Sequence, residues 1–133
     1  MTKKPLFFLA DDDVDDQEFF ISALHEIDAG IECITAADGI EALEKLQDNK
    51  DRIPDFIFLD QNMPRVTGIQ CLREIKKIEA LKNVPVIMCS TSHADKDNEE
   101  AKKLGVNYIF RKTPSFKEMV VYLKKLIADS HEL

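Results

Sequence analysis

Two hydrophobic periods alternate along the chain. The runs LFFLA (6–10), FIFL (56–59) and VIMC (86–89) are apolar at every position. A strand with no polar face is covered on both sides, as in a parallel sheet packed between helices. IECIT (31–35) and YIF (108–110) are shorter or more polar and predict strands at the sheet edges. Pro85 predicts the first residue of its strand, where a missing N–H does least harm. Between these runs, apolar residues recur at helical spacing: Phe20, Leu24 and Ile27; Ile40, Leu43 and Leu46; Ile69, Leu72 and Ile75; Phe116, Val120, Leu123 and Ile127. The segment 94–105 has only Ala94, Ala101 and Leu104 to turn toward a core, which predicts a weakly anchored helix. Strand and helix alternating five times predict an α/β, doubly wound (βα)5 domain of flavodoxin-like type, with a central five-stranded parallel sheet in the order 2-1-3-4-5. With no repeat, low-complexity tract or linker in 133 residues, residues 1–133 read as a single domain.

Composition narrows the partners. Eighteen basic against 25 acidic residues give a net charge of −7, which argues against nucleic acid and anionic membranes as ligands and favours proteins, metal cations or small phosphates. PLFFLA is too short for a signal-peptide core and runs directly into DDD, and no segment is long enough to span a bilayer. Cys33, Cys71 and Cys89 lack CxxC spacing and sit in apolar patterns, so they read as buried, reduced thiols of a cytoplasmic protein. His25, His93 and His131 have no pattern of other ligands around them and read as surface residues.

In open parallel sheets, ligands bind at the carboxyl ends of the strands, near the point where strand order reverses. Asp11 and Asp12 follow the first predicted strand, Asp60 the third, Ser90 and Thr91 the fourth, and Lys112 the fifth. Three carboxylates, a hydroxyl and an ammonium are therefore expected along one edge. Repulsion among the acids costs stability unless a cation is meant to join them, and a divalent metal fits. Asp13, Asp15 and Asp16 read as caps and favourable charges at the start of the first helix. An EF-hand calcium loop is excluded, because DDDVDD lacks the required glycine and terminal glutamate.

The segments LADDD (9–13), FLDQNMP (58–64), MCSTS (88–92) and FRK (110–112) resemble the receiver domain of two-component response regulators, and the intervals between Asp60, Ser90 and Lys112 fit that family without gaps. The resemblance covers the whole chain and, with no appended output domain, is to the stand-alone, chemotaxis-regulator-like type. It implies a phosphorelay protein whose Asp60 accepts a phosphoryl group from a histidine kinase or histidine phosphotransfer protein, and which then changes its binding to a downstream protein. It implies Mg²⁺ as the metal, with Mn²⁺ as a substitute, held by Asp12 and Asp60 directly, by Asp11 mostly through water, and by the Asn62 backbone carbonyl. Lys112 and Ser90 would hold the phosphoryl oxygens, with Thr91 competing for the hydroxyl role. On this reading the protein catalyses only its own phosphorylation and dephosphorylation. The weakly anchored helix at 94–105, the fifth strand and the last helix would form the signalling face.

The chain also departs from the family pattern. Proline usually follows the lysine directly, whereas here the order is Lys112-Thr113-Pro114; a cis bond there would have to lie at Thr113–Pro114. Where an aromatic switch residue often sits, this chain has Ile109, flanked by Tyr108 and Phe110, and the usually small residue after the switch hydroxyl is Thr91. Two other readings remain. A haloacid-dehalogenase-like phosphatase would need a DxDx[TV] motif, which Asp11-Asp12-Asp13-Val14-Asp15 does not complete. A binding module on a receiver fold that is never phosphorylated would take up no phosphate from acetyl phosphate.

Overall fold

The structure, a computed structural model, describes residues 4–48, 52–90 and 95–130. Five strands, β1 (Leu6–Ala10), β2 (Glu32–Ala36), β3 (Phe56–Asp60), β4 (Val86–Ser90) and β5 (Tyr108–Arg111), alternate with five helices, α1 (Val14–Ile27), α2 (Gly39–Asp48), α3 (Gly68–Ile75), α4 (Asp95–Lys103) and α5 (Phe116–Ser130). A 3₁₀ turn at Glu79–Leu81 precedes β4. The strands are parallel and ordered β2-β1-β3-β4-β5, with the expected edges. Pro85 lies one residue before its strand, and its carbonyl accepts from Ile57 N–H at 3.0 Å.

Strand side chains alternate between faces, and the all-apolar runs therefore feed two separate cores. On one side Phe8, Ala10, Ile57, Leu59, Val86 and Met88 pack with residues of α2, α3 and α4, among them Ala42, Leu72, Ile75 and Ala101. On the other, Phe7, Leu9, Phe56, Phe58, Ile87 and Cys89 pack with residues of α1 and α5, among them Phe20, Leu24, Met119 and Leu123. The second core is dominated by aromatic rings: Phe20 meets Phe58 edge-to-face at 4.8 Å and Phe7 stacks on Phe56 at 5.0 Å.

The α3 face is as expected, with Ile69, Leu72 and Ile75 all buried. In α2 the helix is rotated from the expected face: Ile40 is 36% exposed and Leu43 partly so, while Gly39, Ala42 and Leu46 are buried. The reason is close approach at the N terminus, where a Cβ on Gly39 would fall 2.7 Å from Val66. In α5, Phe116 is 38% exposed, and Met119, Leu123 and Leu126 carry most of the burial. On α4, Ala101 is buried and Leu104 packs beside it; Ala94 lies outside the described residues.

One short helix ties the fold to the end of β3. Thr67 and Gln70 form a reciprocal capping box at the start of α3, which sets Gly68 against the chain just past β3. A Cβ there would sit 2.7 Å from the Asp60 carbonyl oxygen and 2.9 Å from Gln61 Cα. Those are backbone atoms and cannot swing away. Gly68→Ala is expected to cost about 1–3 kcal/mol of stability, measured by urea unfolding, whereas Gly105→Ala should report only strain of its positive φ of 88° and leave the β3–α3 loop in place.

Candidate functional site

The pleat of the sheet assembles the site. Phe7 and Leu9, Phe56 and Phe58, and Phe110 face the α1/α5 core, and the next position of the same parity on each chain segment is Asp11, Asp60 and Lys112. Backbone ladders run on past the strand ends and hold these positions in register: Asp11 N–H donates to Ala36 O at 2.9 Å and Gln61 N–H to Cys89 O at 2.9 Å. Asp13 caps α1 as expected, accepting from Asp15 and Asp16 N–H, and Gln17 Nε2 donates to the Asp11 carbonyl at 2.6 Å. The start of α1 is thereby fastened to the end of β1.

The result is a buried ion cluster. Asp11 is 2% and Asp60 4% exposed. Lys112 Nζ lies 2.9 Å from Asp11 Oδ2 and 3.3 Å from Asp60 Oδ2. The other oxygens are occupied too: Asp11 Oδ1 accepts from Asp13 N–H at 2.9 Å and Asp60 Oδ1 from Asn62 N–H at 3.1 Å. A third carboxylate, Asp16 Oδ2, also lies 2.9 Å from Lys112 Nζ. Burial pushes the Asp11 carboxyl up to about 6, against the opposing pull of the Asp13 N–H and of Lys112. Burial works against the Lys112 charge as well, but hydrogen bonds to Asp16 and Asp11 and the field of Asp60 outweigh it, so its pKa is raised.

Asp11, Asp12 and Asp60 each offer an oxygen, and these atoms all lie within 4.8 Å of one another. The donors are hard oxygens, and Asp12 is exposed, leaving an open side for water. That combination suits a small divalent cation, which takes one or two carboxylates and keeps several waters. Asn62 is exposed two residues past β3. Ser90 ends β4, but its side chain lies outside the described set, and so does Thr91. His93 and His131 also lie outside it, whereas His25 is exposed as expected.

At the flanking positions Ile109 packs into the core on the α2–α4 side, Tyr108 is 50% exposed, and Phe110 is buried against Tyr122 with ring centroids 4.3 Å apart. No described peptide bond is cis, so Thr113–Pro114 is trans. Gln61 is buried, and neither of its amide atoms has a hydrogen-bond partner among the described residues. Asp16 is the residue that sequence reasoning missed. Its place in the first turn of α1 suits a helix-start charge, and only the reach of Lys112, just past β5, to the start of α1 shows its second contact.

Residues 7–124 match the response regulator receiver domain family, and the chain belongs to that family. It is 33% identical over 122 residues to the transcriptional regulatory protein CpxR homolog of Haemophilus influenzae, covering 92% of this chain and 50% of that protein, so the chain spans about half the length of that relative. The crystal structure of the phosphorylated cyanobacterial phytochrome response regulator RcpA superposes with a TM-score of 0.84 at 30% identity, covering 93% of this chain and 91% of that one. The Mn²⁺-bound form of response regulator Rcp1 gives 0.79 at 28% identity, covering 92% and 91%. The chain is thus a receiver module of the two-component class, with an acidic cluster compatible with a divalent metal. Among the described residues no helix is long and apolar enough to cross a membrane.

The raised Asp11 pKa fixes the sign of a pH effect. Between the usual value of 3.8 and about 6, folded Asp11 keeps a proton that the unfolded chain has released. Its contribution to stability is therefore present at low pH and is lost as pH rises through about 6. Asp11→Asn has no such dependence. In chelator-treated protein, the variant's stability relative to wild type is expected to increase between about pH 4.5 and about pH 7.5, measured by urea unfolding at both pH values; a constant difference would contradict the burial argument.

Proposed function

We propose that Asp60 is the phosphoacceptor, Lys112 and Ser90 hold the transferred group, and Asp11, Asp12, Asp60 and the Asn62 carbonyl hold Mg²⁺ or Mn²⁺. The observation that carries this reading is the meeting of one ammonium with Asp11 and Asp60 beside a cluster of three carboxylate oxygens within 4.8 Å. A carboxylate oxygen of Asp60 attacks phosphorus on a phosphohistidine; the P–O bond forms as the P–N bond breaks, and the imidazole leaves. A divalent metal held there would supply positive charge to the phosphoryl oxygens. Lys112 supplies a compact positive charge from the β5 side. Stabilising charge on the transferring group is the main part of such catalysis, so the protein acts on its own Asp60 only.

Engagement of Lys112 by the phosphoryl group would draw the end of β5 toward it. The face made by α4, β5 and α5 is the proposed signalling surface for a downstream protein. Tyr108 and Val121 are half exposed or more there, and a groove of about 520 Å³ runs between Ser115, Val121, Tyr122 and Lys125. The cytoplasm is the proposed location: all three cysteines are free, and burial raises each thiol pKa, to about 12 for Cys33 and Cys71.

Treatment with acetyl phosphate and Mg²⁺ is expected to yield a protein about 80 Da heavier, labile to alkali, and Asp60→Asn should not gain the adduct. An adduct that persists in Asp60→Asn, or none in wild type, would defeat the assignment. Hydrogen exchange with and without a phosphoryl mimic should change across 90–112.

A further inference from the structure

An ammonium has three N–H donors, and Lys112 Nζ has three carboxylates around it: Asp11 and Asp16 at 2.9 Å and Asp60 at 3.3 Å. Two of these acceptors are spoken for twice. Asp11 and Asp60 belong to the group of oxygens that could hold a metal, and Asp16 does not. A hard divalent cation competes for the oxygens that Lys112 now uses, so loading the site draws on Asp11 and Asp60 and leaves Asp16. Geometry favours that division: the Asp16 side chain is 45% exposed at the rim, while Lys112 is 19% exposed and Asp60 lies deep. A cavity of about 50 Å³ beside the lysine is lined by the apolar Leu9, Phe58 and Phe110 together with Asp11 and Asp16.

We infer that Asp16 is a positioning residue for Lys112. It keeps one N–H engaged when metal and phosphoryl group occupy the rest of the site, leaving the other two directed at phosphoryl oxygens and preventing the ammonium from turning to water. The inference rests on the proposed roles of Asp60 and Lys112. A purely structural role for Asp16, as a favourable charge in the first turn of α1, would change helix stability and leave Lys112 untouched.

Asp16→Ala and Asp16→Asn separate these roles, since asparagine keeps a neutral oxygen acceptor. With Mg²⁺ present, acylation of Lys112 followed by peptide mass spectrometry, referenced to exposed Lys124, should be roughly threefold to tenfold faster in Asp16→Ala than in wild type, with Asp16→Asn between them. At saturating Mg²⁺ the maximal rate of phosphorylation by acetyl phosphate should fall by a similar factor, with the KM for the donor nearly unchanged. Equal Lys112 labelling in all three proteins, or faster labelling with an unchanged maximal rate, would overturn the inference, whatever happens to thermal stability. If wild type takes up no phosphate, the reading of Asp60 fails, while the labelling still decides whether Asp16 holds Lys112.

Discussion

The arrangement at the carboxyl edge of the sheet depends on one ammonium placed among carboxylates. Two like charges 4 Å apart repel by roughly 4 kcal/mol at an effective dielectric near 20. Asp11 and Asp60 are nearly inaccessible to water, so solvent does little to relieve that repulsion. Lys112, arriving from the opposite side of the sheet's centre, offsets it by contacting both acids and Asp16 together. Burial, with a smaller contribution from the Asp60 charge, still leaves the Asp11 pKa raised. Removing one partner of a buried ion cluster leaves an uncompensated charge, which makes the cluster a constraint on the whole edge.

That placement follows from sheet geometry. Because β1, β3 and β5 each send alternate residues to the α1/α5 side, the residue that continues the aromatic face at the end of each strand points to the same place. The phenylalanines that build the second core and the charged groups above it are one continuous row. The fold puts its apolar cost and its chemistry on the same face, with the boundary between them at the strand ends. On the opposite face the capping box of α3 and the close approach of Gly68 to the Asp60 and Gln61 backbone restrict how far the end of β3 can move.

Much of this was legible in the sequence. LFFLA, FIFL and VIMC contain no polar residue, and that property alone requires cover on both faces; the weaker runs became edge strands for the same reason. Asp11, Asp12, Asp60 and Lys112 were identifiable because parallel strands place their following residues together. What was not legible concerns rotation and reach. The apolar period of α2 fits more than one orientation, and the steric limit at Gly39 against Val66 turned Ile40 outward. Asp16 lies in a run of five aspartates whose local rule is helix capping, and nothing local distinguishes it from Asp15. Gln61 sits among polar residues, yet it is buried without a hydrogen-bond partner among the described residues.

The residue pattern was thus sufficient for the order of elements, the two-sided core and the edge at which acids and lysine gather, because strand burial and helical periodicity are written at short range along the chain. The contacts of Lys112 with three carboxylates join residues 96, 101 and 52 positions apart. Such contacts depend on the packing of α1 and β5 over a shared core to within an ångström, and no local spacing carries that information.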